Sequence, residues 1–231
     1  MLPETMPVCP VRGSVIYPTM VMPIDAGRPI SIRAIDEALA RDRVLLIVSQ
    51  RDKEVETPRP SDLFEVGTAC NILKMRKNPD GSVQVLVQAF ARVRVREWLD
   101  LGDHLEARGE VLADEPGEPI LVKALVRGVK DRCQARLKEG KYLAPEVAQF
   151  ILNLEDPSQL ADYVAFHMDF RLEDKQKVLE TANVAERLRA GVVWANTFNQ
   201  FDPASPFGGY KESGFGREGG RHGLAPYLQL E

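Results

Sequence analysis

The side chains with the most chemical character in this sequence are soft and apolar rather than nucleophilic. Tyr17, Pro18, Met20, Met22 and Pro23 fall within one short stretch, and Met75 stands just before a Lys-Asn-Pro-Asp-Gly-Ser turn. Methionine has a flexible stem and a polarizable sulfur, so a surface group of them adapts to many apolar shapes. Exposed together, Tyr17, Pro18, Met20, Met22 and Met75 would make a binding patch for apolar partners. The blander alternative is that these side chains fill a core.

Groups that perform covalent or acid-base chemistry do not assemble. The histidines His104, His167 and His222 lie in three separate segments, and no H-E-x-x-H, G-x-S-x-G or S-x-x-K occurs. There is no G-x-x-x-x-G-K-[ST] loop to cradle nucleotide phosphates, so ATP hydrolysis by this chain is not expected. Cys9, Cys70 and Cys133 are widely spaced without a neighbouring histidine, a pattern of buried free thiols rather than of a zinc site or disulfide framework. The expectation is a chain with no catalytic residues, no metal and no cofactor.

The elements that must position the soft residues come in two kinds. Up to about residue 115 the pattern is of strands around one helix. Met6 to Arg12 reads as a short strand, and Pro18 and Pro23 allow the following segment to be an edge strand but not a central one. Pro29 suits the first position of a helix that runs to about Ala40, with Ile32, Ile35 and Leu39 at helical spacing. Arg43 to Ser49 and Phe64 to Met75 are strand candidates, and Pro79, Asp80 and Gly81 turn the second into a hairpin. From Val83 to Val95 the odd positions are all apolar, a period of two in a run long enough to bend as barrel strands do. Its other face carries Arg92, Arg94 and Arg96, a ladder that could meet phosphates but is read as a solvated face paired with carboxylates such as Glu65. His104 to Ala113 gives one more strand.

Beyond Pro119 the pattern is helical. Leu121, Leu125, Val129, Cys133 and Leu137 form one stripe, Pro145 opens a second helix, and Asp156 or Ser158 can cap a third with Leu160, Tyr163, Val164 and His167 on one face. His167 is read as a helix-face histidine. A fourth helix starts near Leu172. The fold class is α+β, a β lobe at 1–115 followed by a helical lobe at 116–188.

Composition narrows the partners. Of 231 residues, 34 are acidic and 30 basic, a net charge of −4 that argues against nucleic acid as the main partner. No apolar run is long enough to span a bilayer, and the first residues lack a leader pattern, so the expected compartment is the cytoplasm, with no membrane partner.

Four signatures in order carry a resemblance: R-G-x-x-x-x-P-x-M from Arg12, D-L-x-x-V-G-T-A from Asp62, P-D-G from Pro79, and E-D-P-x-x-L-A-D from Glu155. Over about residues 6–188 the chain resembles the N-terminal substrate-recognition domain of ATP-dependent Lon proteases. Cys9, where that family usually has leucine, is the one departure noted. The resemblance implies a PUA-like β-barrel followed by a helical bundle, capture of unfolded or damaged proteins, help in organising a hexamer, and ATPase and Ser-Lys protease modules that this chain lacks. Substrate contact then falls to Tyr17, Pro18, Met20, Met22 and Met75. The rival reading is a PUA-like nucleic-acid-binding module using the arginine ladder.

The last forty-odd residues differ in character. Eight of the seventeen glycines fall after Leu188, and V-W-x-N from Val193 precedes P-F-G-G-Y-K-x-S-G-x-G-R-E-x-G from Pro206. Residues 189–231 are similar to the C-terminal end of aldehyde dehydrogenases. By that analogy Phe201 would belong to an aldehyde pocket, but the family's catalytic cysteine, general base and cofactor domain have no counterpart here. The chain reads as a chimera joined between Ala185 and Arg189, with a poorly ordered tail, able to occupy the recognition patch as a tethered substrate, and no dehydrogenase activity.

Overall fold

The computed structural model describes residues 2–139, 144–167 and 170–196, with side chains at 2–135, 144–167 and 170–191. The tail from 197, with Phe201 and its expected disorder, lies outside the described residues.

Alternation builds the β lobe. Strands β1 (Met6–Val11), β2 (Val21–Ala26), β3 (Val44–Ser49), β4 (Val66–Lys77), β5 (Val83–Asp100) and β6 (Leu105–Val111) form one sheet in the order β2-β5-β4-β3-β1-β6. A further β5–β6 pairing closes five of the strands into a ring and leaves β2 attached only to β5. The valine run is longer than an ordinary strand because β5 serves twice: Val83–Gln88 pairs with β2, and Val93–Asp100 pairs with β6 past a register shift at Val95/Glu97. Val83, Val85, Val87, Ala89, Val93 and Val95 are all buried, as period two requires. The hairpin turn is as expected: Gly81 adopts φ +86°, and the Asn78 amide donates to the Ser82 carbonyl at 2.8 Å.

Pro23 is an edge residue for a visible reason. Thr19, with φ +69°, and Met20 together face Ala89 in a bulge, the Thr19 amide donating to Ala89 at 2.9 Å and the Ala89 amide to Met20 at 2.8 Å. With Met22, Ile24 and Ala26 opposite Val87, Val85 and Val83, alternation turns the backbone polar groups of Val21, Pro23 and Asp25 away from β5. The missing N–H of Pro23 is therefore no loss to the ladder.

Helix α1 (Pro29–Ala40) covers one end of the barrel with Ala34, Ile35 and Ala38 in the core. The helical lobe follows as α2 (Pro119–Glu139), α3 (Pro145–Asn153), α4 (Pro157–His167), α5 (Leu172–Glu180) and α6 (Val184–Asn196). Asp156 caps α4, its carboxylate accepting from the Gln159 amide at 2.7 Å. Residues Met1–Val192 form one unit and Val193–Glu231 another. Within the first, the lobes are clamped by paired backbone bonds: the Glu115 amide donates to Ala182, and the Val184 amide to Glu115, both at 2.9 Å.

Ring closure depends on positions without a side chain. A Cβ on Gly67 would lie 2.5 Å from the Ile47 carbonyl oxygen and 2.7 Å from Val48 Cγ2. The Ile47 oxygen belongs to backbone and cannot rotate aside. Gly67→Ala is expected to destabilise the fold by about 2–3 kcal/mol, measured as a lower urea midpoint. Gly27→Ala, with open space around its Cβ, should change it by less than about 1 kcal/mol.

Candidate functional site

The interface between the lobes is built on ionic pairs. Arg92 of β5 points outward from the barrel, yet it is 3 % exposed because the helices cover it. Its guanidinium donates to Asp162 of α4 and, at 3.1 Å, to Asp114. Arg187 of α6, 1 % exposed, donates to the same Asp162 oxygen at 3.1 Å and lies 2.8 Å from Asp114. The Ser158 hydroxyl completes the set by donating to Asp114. Burial pushes the Asp162 carboxyl up, to about 7, while the Arg92 guanidinium draws it down. Two guanidiniums on one oxygen make the carboxylate the form that this arrangement uses. This corrects the reading of the ladder as a solvated face at Arg92, the buried centre of the lobe contact; Arg96 pairs with Glu110 at the surface, as that reading has it, and Arg94 is half-buried. The three do not form the continuous exposed row that would track a phosphate backbone.

Two further bonds tie the loop before β2 and strand β4 to α5. The Tyr17 hydroxyl donates to the Lys175 carbonyl at 2.8 Å, and the Gln176 side-chain Nε2 to the Val66 carbonyl at 2.8 Å. Burial pushes the Tyr17 hydroxyl far above its ordinary range.

Beside this interface lies an apolar cleft of about 450 Å³. Thr19, Met20, Val21 and Met22 supply the sheet side; Phe150, Leu154, Gln159, Tyr163, Phe166 and His167 supply the helical side. Phe150 packs on Tyr163 with ring centroids 4.5 Å apart, and Tyr163 on His167 at 4.3 Å. Phe150 is 50 % exposed and Val21 54 %, so the cleft presents apolar surface to solvent. Burial, with Lys175 nearby, lowers the His167 pKa, which favours its neutral ring in this setting.

The five sequence-derived contact residues separate. Met20 and Met22 line the cleft, half-buried. Tyr17 is completely buried and Pro18 is buried, so the expectation of a shared exposed patch does not hold for them: Tyr17 is a bolt to α5. Met75 is 37 % exposed on β4 and is not among the cleft residues. The aromatic wall was missed. Its signal was Tyr163, Phe166 and His167 at helical spacing: Leu160 and Val164 are buried, whereas Tyr163 and His167 of the same expected face line the cleft. All three cysteines are free and buried, as read; burial raises Cys9 and Cys133 to about 11. Among the described residues no cluster of His, Cys, Asp and Glu could hold a metal, and no helix is long and apolar enough to cross a membrane.

A closed barrel clamped to a helical bundle, with an apolar cleft at their boundary, defines a binding domain of α+β class. Residues 5–196 match the substrate-binding domain of ATP-dependent protease La (LON). The chain belongs to this family. Residues 176–231 match the aldehyde dehydrogenase family, so the two matches overlap. Lon protease 2 of Thermus thermophilus is 97 % identical over 193 residues, 84 % of this chain and 24 % of that protein. Lon protease of Escherichia coli (strain K12) is 40 % identical over 182 residues, 79 % of this chain and 23 % of that protein. The chain thus spans about a quarter of the length of these relatives. The N-terminal domain of Mycobacterium avium complex Lon protease superposes with a TM-score of 0.69 at 26 % identity, covering 84 % of this chain and 98 % of that one. A Lon N-terminal domain protein from Xanthomonas campestris has the same fold, with a TM-score of 0.56 at 12 % identity and coverage of 82 % and 98 %.

Removing one partner of the buried ionic set should cost more than its share, because unpaired charges remain inside. Asp162→Ala and Arg92→Ala are each expected to destabilise by about 3–5 kcal/mol. In urea titrations the double variant should lose far less than the sum, a coupling of about 2 kcal/mol or more; additive losses would show that the two groups stabilise the fold independently.

Proposed function

We propose that the cleft captures exposed apolar segments of unfolded or damaged polypeptides. The observation that carries this reading is the facing of Met20 and Met22 against Phe150, Tyr163 and Phe166, with Val21 and Phe150 open to solvent. Adaptable thioethers opposite aromatic rings accept side chains of different shape. A mobile segment loses conformational entropy on docking, so the affinity of a single domain should be on the order of 100 μM. In a longer cytoplasmic protein of the Lon type the domain would deliver such segments to ATPase and protease modules and help to organise a hexamer, where several copies gain avidity. This chain itself would not hydrolyse peptides.

The tail is read as a foreign segment. The overlap of the two family matches at 176–196 supports a chimera joined within α6, whose lobe-contact residue Arg187 is retained. An NAD-dependent aldehyde assay on the full chain should detect no turnover.

The capture reading is tested by fluorescence anisotropy with a reduced, carboxymethylated unfolded protein. Phe150→Ser and Met20→Ser are each expected to weaken binding about tenfold, with the far-UV circular dichroism unchanged. Met75→Ser should alter it less than about twofold. Loss with Met75→Ser but not with Phe150→Ser would move the site out of the cleft.

A further inference from the structure

The cleft continues along a strand edge. A second cavity, of about 390 Å³, is lined by Met22, Pro23, Ile24, Asp25 and Ala26. It shares Met22 with the apolar cleft, and among the described residues neither cavity is lined by any residue of β5. Together they follow β2 from Thr19 to Gly27 on the side away from its partner strand. The polar backbone groups on that side are those of Val21, Pro23 and Asp25, whose register turns them from β5. β2 pairs with no other strand among the described residues. The edge thus offers two N–H donors, at Val21 and Asp25, and three carbonyl acceptors. On the opposite wall, Pro10 of β1 has no N–H to offer them, and its carbonyl already accepts from Arg28 at 2.6 Å.

From this geometry we infer that the bound polypeptide adds to the sheet as an extended strand along the free edge of β2, one end of it packed in the apolar cleft. The inference rests on the capture reading above. Alternating donors and acceptors at strand spacing recognise an extended peptide backbone and not its sequence, while the thioether and aromatic walls select apolar side chains. Pro23 removes the middle donor, and the Asp25 side chain, held by Gln84 at 2.8 Å, places charge at one end. Both features discourage two copies from pairing along this edge, yet leave contacts that a transient guest can use.

The experiment uses the full chain and a fluorescent peptide of about ten residues in which leucine and phenylalanine alternate with serine, with two further peptides N-methylated at one or the other set of alternate amides. Amide hydrogen exchange is followed with and without the parent peptide. Strand addition predicts that exchange at Val21 and Asp25 slows about tenfold or more while Met22 and Ile24 are unchanged. It also predicts that one methylated set loses about tenfold or more in affinity while the other binds as the parent does. If the parent binds, but Val21 and Asp25 keep their rates and both methylated peptides bind equally, strand addition is overturned and the capture reading stands. If the parent does not bind at all, both fail. Protection of Val21 and Asp25 that grows with protein concentration alone would assign the edge to a second copy of the chain and also overturn the inference.

Discussion

Arg92, Arg187 and Asp162, withdrawn from water between barrel and bundle with the exposed Asp114 at their edge, hold the lobes in one arrangement. Each charge is costly to bury alone and acceptable only with its partners in place. Arg92 comes from β5, Asp114 from the segment before α2, Asp162 from α4 and Arg187 from α6, so the four meet only when strand, connection and two helices are all home. Apolar packing between the lobes would tolerate sliding; directional hydrogen bonds to one carboxylate oxygen do not. The backbone clamp at Glu115 and Val184, and the Tyr17 and Gln176 bonds to neighbouring elements, fix the remaining freedom.

Most of the elements were legible because their signals are local. Proline marks the start of α1 and α3, a capping aspartate the start of α4, period two marks β5, and Pro-Asp-Gly marks the β4–β5 turn. α+β class and family followed from these and from ordered motifs. What could not be read was which outward face meets another element. Arg92 sits in the polar register of β5, and nothing nearby in sequence distinguishes it from Arg96; the difference is a carboxylate seventy positions later. Tyr17 failed for the same reason, since a tyrosine among prolines and methionines looks like a surface residue until its hydroxyl is found on α5. Met20 and Met22 were legible as soft side chains of one short stretch, whereas their facing of Phe150 and Phe166 was not, because the cleft exists only once the helices are docked.

The edge of β2 shows how a liability can be kept open. An unpaired strand invites association with another chain, and folded proteins usually cover it or break it with proline and charge. Here Pro23 interrupts the donors without sacrificing any bond to β5, and the carbonyls stay free. An edge of this kind would be permissive about sequence and limited in strength, properties that the proposed capture role would need.

Helix α4 links the two themes. Ser158 and Asp162 enter the ionic set, while Gln159, Tyr163, Phe166 and His167 line the cleft. These are interleaved positions on one helix of eleven residues, so the cleft wall cannot move without moving the charges. The ring of Tyr163 is adjacent in sequence to the carboxylate that holds Arg187, and Arg187 belongs to α6, the last described helix. A guest that shifted α4 would strain bonds to α6, and the cost of separating buried charges would oppose the shift. The cleft is therefore preorganised by the lobe contact. In the proposed capture role, the wall left to adapt to a guest would be the thioether side, Met20 and Met22, on the segment attached along only one edge.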